Sequence, residues 1–316
     1  MRELREYAVR RSGTRSPLRK VFLAFEGEKT ESIYFSALKQ QSAQCRLSQL
    51  VELVPLEKEG REYAMSNPVR VLECLTAFME ECKEGKITWK SLIRKLHAET
   101  GCQVSEEEIH DLLLQSEMPG SDSQMDSGYI EDVDSAVSQL LKSLDENQEQ
   151  LKNAILNFEF DPPTMDWKTD HIYMIVDRDR HSFKENQYDE VLTKCNTLNI
   201  RFCPTNPCFE LWLLLHFRKL NEAELDNILE NRKVKNQEMG GKRAKKTYTE
   251  FILCQHLPGY KKKHVNTNLL LSKLDNALAN ASGLPEDPLL LKNQVGSAVP
   301  RLIRDLRDAE KDSHTG

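Results

Sequence analysis

The apolar positions change period several times along the chain, and each change marks an element. KVFLAFEG (20–27) is apolar without interruption and stops at Glu26-Gly27, which predicts a buried strand. From about Glu31 the stretch ESIYFSALKQQ takes helical spacing, with Thr30 as the expected N-cap. SQLVELVPL predicts a second strand, and NPVRVLECLTAFMEECKEG a helix with Pro68 near its start and Gly85 just past its end. From 86 to 168 the helical period dominates, in ITWKSLIRKLHAET, SEEEIHDLLLQSE and YIEDVDSAVSQLLKSLDENQEQLKNAILNF, separated by the loop MPGSDSQMDSG and closed by DPPTMDW. The α/β alternation then resumes. DHIYMIVD and IRFCPTN read as strands, FKENQYDEVLTKCNTLN as the helix between them, and CFELWLLLHF as a buried helix behind Pro207. Residues 221–309 read as helical throughout, with basic loops, and end on the amphipathic VPRLIRDLRDAEK.

These elements predict an α/β, Rossmann-like parallel sheet built in two parts, residues 1–85 and 169–220. Residues 86–168 are expected to form an acidic helical insertion and residues 221–316 a basic helical C-terminal region. No apolar run reaches the roughly 18 to 20 residues of a membrane-spanning helix, and the first residues lack an apolar signal region, so a cytosolic location is expected. The eight cysteines show no C-x-x-C pair and no zinc spacing, and are expected to be reduced, mostly buried thiols.

Charge alters this picture more than composition does, because the net −6 hides a segregation. Residues 99–161 hold sixteen acids against two lysines, a balance of −14, which leaves +8 for the remainder. Residues 231–264 hold ten Lys or Arg against Glu238 and Glu250, and residues 1–20 seven against two. Such density suits phosphate contacts, so Lys242, Arg243, Lys245, Lys246, Lys261, Lys262 and Lys263 are the expected nucleic-acid-binding residues, with Tyr248 and Tyr260 available to stack on bases. A solvated basic loop would look the same. The acidic insertion has three readings: a solvated decoration, a docking surface for a partner protein, or a plug in the basic groove.

The chemistry is expected where strands end on acids. Glu26 ends the first strand, and IYMIVDRDRH ends a later one on Asp177 and Asp179, two residues apart and hence on the same side while the chain stays extended. In an open α/β sheet, sites lie beyond the carboxyl ends of parallel strands. If the two strands are neighbours, three carboxylates converge, and oxygen ligands without His or Cys select Mg²⁺ or Mn²⁺. The simpler alternative is that these acids serve only as turn and cap residues. Glu210 sits in the first turn of the helix behind Pro207, where the helix dipole alone favours a carboxylate.

FEGEKTESIYF (25–35), VDRDRH (176–181) and NPCFELWLLLHF (206–217) resemble the RloB-like family of bacterial Toprim proteins, and NQVGSAVPRLIRDL is similar to the family's closing helix. The resemblance implies a Toprim-like fold and a metal-dependent nuclease of anti-phage defence, partnered in some systems by an ATPase or another sensor protein. It implies that Glu26, Asp177 and Asp179 hold the metal, with Glu26 as the alternative general base, and it keeps Glu210 as a catalytic candidate. Many Toprim nucleases carry a second acid four residues after the first. Here Thr30 stands at that position and Glu31 one later. Lys29, Arg178 or His181 would stabilise developing charge. RNA, with tRNA first, is the expected substrate and DNA its close competitor, since phosphate contacts do not read the sugar. The competing reading is a nucleic-acid- or nucleotide-binding Toprim adaptor that is inactive alone and works through a partner; self-association fits either.

Overall fold

Uninterrupted β-branched and aromatic runs become central strands because both faces of a parallel sheet are covered. The computed structural model describes residues 19–27, 29–56, 67–101, 103–115, 128–145, 148–157, 164–234 and 246–308. Its elements in chain order are β1 (Arg19–Phe25), α1 (Thr30–Gln40), β2 (Val51–Leu56), α2 (Pro68–Glu84), α3 (Trp89–Glu99), α4 (Glu106–Gln115), α5 (Val133–Ser143), α6 (Glu149–Asn157), β3 (His171–Asp177), α7 (Glu185–Thr197), β4 (Arg201–Asn206), α8 (Phe209–Leu215), α9 (Leu225–Glu230), α10 (Tyr248–His256), α11 (Thr267–Leu271), α12 (Leu274–Ala281), α13 (Pro288–Leu291), β5 (Gly296–Ser297) and α14 (Val299–Arg307). The sheet order is β2-β1-β3-β4-β5. The first four strands are parallel and β5 lies antiparallel to β4. This is the α/β, Rossmann-like core that the sequence predicts.

The period of two along each strand divides the core into two layers. Val21, Leu23, Phe25, Tyr173, Ile175 and Cys203 face a cluster built with α1, α8, α10, α11, α12 and α14. Phe22, Ala24, Ile172, Met174, Val176 and Phe202 face α2 and α7. Much of residues 246–308 therefore covers one face of the sheet. Ser48 N donates to Leu306 O at 2.9 Å, and Arg307 Nε donates to Cys45 O at 3.0 Å, tying α14 to the segment between α1 and β2.

Residues 87–155 have an apolar cluster of their own, centred on Leu92, Leu96, Ile109, Leu113, Leu140 and Leu151, which are all fully buried. Its entry is pinned by Glu81, the 5 % exposed acid near the end of α2, whose carboxylate accepts from Thr88 N, Thr88 Oγ1 and Ser91 Oγ at 3.1, 2.7 and 3.2 Å.

Three expectations differ in detail. The long helix expected over 129–158 is two helices, α5 and α6, because Leu144 turns inward and Asp145 N is satisfied by Gln148 Oε1 at 2.9 Å. Residues 221–309 are not wholly helical, since Gly296–Ser297 adds an edge strand, a stretch too short to show any period. Only glycine fits at 296, where a Cβ would meet the carbonyl of Pro285 and stand 2.9 Å from Leu291 Cδ2. Thr30 is not the N-cap of α1, whose Ncap is Lys29. Thr30 is 4 % exposed, inside the first turn, and donates to Lys262 O at 3.2 Å. Among the described residues no helix is long and apolar enough to cross a membrane, and the seven described cysteines are free.

Candidate functional site

The parallel register brings the strand ends to one edge. Phe25 pairs with Ile175 and Asp177 with Thr205, so Glu26, Asp177 and the start of α8 emerge side by side. The backbone fixes both strand-end acids. Asp177 N donates to Glu26 Oε2 at 3.0 Å, and Phe209 N, in the first turn of α8, donates to Asp177 Oδ1 at 2.8 Å. The chain enters α8 through a cis Asn206–Pro207 peptide bond.

Glu210 and Glu31 complete the group. Both are buried, 3 % and 5 % exposed. Tyr260 OH donates to Glu210 Oε1 at 2.9 Å, and Lys262 Nζ lies 3.4 Å from the same oxygen. Burial pushes the Asp177 carboxyl well above the ordinary carboxylate range, and repulsion from Glu31, Glu26 and Glu210 pushes it further, with Lys262 opposing. The Lys262 ammonium is raised by Glu210 first, then by Asp177, Cys208 and Glu31. Burial raises the Cys208 thiol and Glu210 and Asp177 add to it, so Cys208 stays a neutral thiol beside the acids. Glu250 is likewise raised by burial and by Glu210.

The helices that carry these acids are held by aromatic packing. The ring of Tyr34 on α1 stands edge-on to Phe209 and Trp212 of α8, with centroids 5.6 and 6.5 Å apart. Its hydroxyl lies 3.1 Å from His216 Nε2, while His216 Nδ1 lies 3.0 Å from Trp212 O. A carbonyl only accepts, so Nδ1 carries the proton and Nε2 accepts from Tyr34. Burial lowers His216 to about 4, so it is a neutral core residue. Gly27 lies against Glu31, and a Cβ there would stand 2.6 Å from Glu31 Cδ. Gly27→Ala is accordingly expected to displace the Glu31 carboxylate with little loss of stability, because the obstructing atoms end a flexible side chain, and, on the reading that the cluster holds a divalent ion, to cut that affinity about tenfold. Calorimetric titration of Mn²⁺ checks this, and unchanged affinity would refute the role of Gly27.

The remaining expected residues fall elsewhere. The Asp179 carboxylate accepts from His181 N at 2.9 Å and from Ser182 Oγ at 3.1 Å, closing the loop after β3. Arg178 is 1 % exposed and donates to Phe183 O at 2.7 Å and Lys292 O at 3.2 Å, so it staples the loop and cannot reach a phosphate. His181 is exposed, with Nε2 3.3 Å from Glu230 O, and Lys29 stands half-buried at the start of α1. Tyr260, 3 % exposed, cannot stack on a base. Lys246 points its Nζ at Cys254 Sγ, 2.7 Å away. Lys261, Lys262 and Lys263 sit on an exposed turn, whereas Lys242, Arg243 and Lys245 lie outside the described residues, as do residues 1–18.

Among the described residues no three His, Cys, Asp or Glu side chains stand in a metal-ligating arrangement. The donor set nevertheless suits a hard divalent cation. Glu26, Glu31, Asp177 and Glu210 offer only carboxylate oxygens, and the neighbours raise Asp177 as a cluster short of positive charge does. Glu31 and Glu210 accompany the strand-end acids Glu26 and Asp177. Spacing identifies neither, since each lies on a helix that meets the strands only in three dimensions. A family model described as RloB-like protein matches residues 21–306, most of the chain. No curated protein and no solved structure matches.

Proposed function

The chain belongs to the RloB-like family, and from that premise we propose that it is a Mg²⁺- or Mn²⁺-dependent Toprim-type nuclease acting in bacterial anti-phage defence. The observation that carries the reading is the gathering of Glu26, Glu31, Asp177 and Glu210 at the carboxyl edge of a parallel sheet beside Lys262. Asp177 and Glu26, steadied by backbone N–H groups, would hold the cation, with Glu31 and Glu210 adjoining. A bound divalent ion would supply Lewis-acid polarisation of a phosphodiester and a more acidic water. The chain's own part is to fix the carboxylates before substrate arrives, through Phe209 N, Tyr260 and the packing of Tyr34 on α8. RNA, tRNA first, is the proposed substrate class, with an ATPase or other sensor protein as partner. DNA is the competing class.

The test offers total tRNA, other RNA, plasmid and linear DNA to the purified protein with Mn²⁺ or Mg²⁺, beside an Asp177→Ala control. Cutting of one class that requires the metal and is absent from the control is expected. Mn²⁺ should also raise the melting temperature of the wild type and not of the control. That metal response without cutting would favour the adaptor that works through a partner; absence of both would refute the site.

A further inference from the structure

The turn that follows α10 is built to deliver one lysine. Its ends are bridged, with His264 N donating to Lys261 O at 2.8 Å. Two groups of α1 and α8 hold it: Thr30 Oγ1 donates to Lys262 O at 3.2 Å, and Glu210 accepts from Tyr260 OH at 2.9 Å. All three lysines of the turn are exposed, the Lys262 side chain to 63 %, yet Lys262 Nζ reaches a buried acid, standing 3.4 Å from a Glu210 carboxylate that is 4 % exposed. A lysine serving only a diffuse phosphate-binding surface would need neither the Thr30 anchor nor a buried acid as neighbour.

We propose that Lys262 belongs to the carboxylate site as its resident cation: it neutralises the cluster when no metal is present and faces the reacting phosphate when substrate is bound. The second half rests on the nuclease reading; the first does not. Lys262 is thus separated in role from Lys261 and Lys263, which stay free to meet the nucleic-acid backbone beyond the reacting group. A tethered ammonium beside Glu210, Asp177 and Glu31 weakens divalent-ion binding and, being fixed before the reaction, is positioned to stabilise charge that develops on phosphate oxygens.

The test compares Lys262→Met, Lys262→Arg and Lys261→Met in the full chain. Titrated calorimetrically without nucleic acid, Mn²⁺ is expected to bind Lys262→Met about fivefold more tightly than wild type, with Lys262→Arg and Lys261→Met unchanged. In EDTA, Lys262→Met should melt several degrees below Lys261→Met, and Lys262→Met/Glu210→Gln should regain most of the loss, because a buried charge is costly only when its partner is missing. On the nucleic acid that wild type cuts, Lys262→Met should lower kcat about a hundredfold at similar KM, Lys262→Arg should restore much of it, and Lys261→Met should raise KM instead. Lys262→Met with wild-type kcat overturns its place at the reacting phosphate. Additive losses at 262 and 210 overturn its place in the cluster. Should wild type neither bind Mn²⁺ nor cut, the nuclease reading and the phosphate half of the proposal both fall. The coupling to Glu210 in EDTA then decides the resident-cation half alone, coupling upholding it and additivity overturning it.

Discussion

Asp177→Asn is expected to abolish cleavage, by about a thousandfold or more, while raising the melting temperature of the metal-free protein. The two effects share one cause. Asp177 is charged at neutral pH only against burial and against Glu31, Glu26 and Glu210. Its carboxyl is raised in the folded protein above the ordinary value of 3.8, so its protonated form is the one the fold favours. The stability it contributes is complete below that ordinary value and is lost as pH rises through the raised folded one. Metal-free wild type should therefore melt lower at about pH 8 than at about pH 5, and the variant should lose part of that slope. Asparagine keeps an oxygen to accept from Phe209 N, so the site's backbone need not move. Melting curves in EDTA at both pH values, set beside a cleavage assay, check the prediction. A variant that melts lower than wild type at both would show that Asp177 is structural.

Arg178→Ala should have the largest effect on stability, about 3 kcal/mol or more in urea denaturation. The guanidinium lies 5.0 Å from the Tyr188 ring centroid and 5.9 Å from that of Phe183, and it serves two carbonyls on separate segments, Phe183 and Lys292. Truncation leaves both acceptors with one donor fewer and opens a void under the loop that follows Asp177. Relief of a desolvated charge offsets part of this, which is why the expected loss is not larger. Arg178→Lys should recover little, because one ammonium cannot span two carbonyls that a planar fork reaches. A loss under about 1 kcal/mol would mean that the loop is held from elsewhere.

Much of this was legible in the chain, and what was not has definite causes. The apolar runs before Glu26 and Asp177 located β1 and β3, and β4 likewise, because central parallel strands need continuous burial. The same-side reading of Asp177 and Asp179 holds only while the chain stays extended, and β3 ends at Asp177. Arg178 N still bonds Thr205 O, as a strand residue would, but the next residues turn, and Asp179 satisfies its own loop. Glu210 was ambiguous because a helix first turn favours an acid with or without chemistry. Lys262 and Tyr260 read as part of a basic, aromatic surface. Their approach to Glu210 spans about fifty residues, and no local period encodes such a contact.

The cluster draws on positions 26, 31, 177, 210 and 262, and the layer beneath it is closed only by α14, whose residues pack with β1 and α1. Contacts of such long sequence separation form late and slowly. During synthesis, a chain that has emerged as far as Asp177 owns neither Glu210 nor Lys262 nor the helix that completes its core. On the proposed nuclease reading, the growing polypeptide therefore could not cut the messenger and tRNA that are making it, and the order in which the molecule is assembled would itself protect the translating cell.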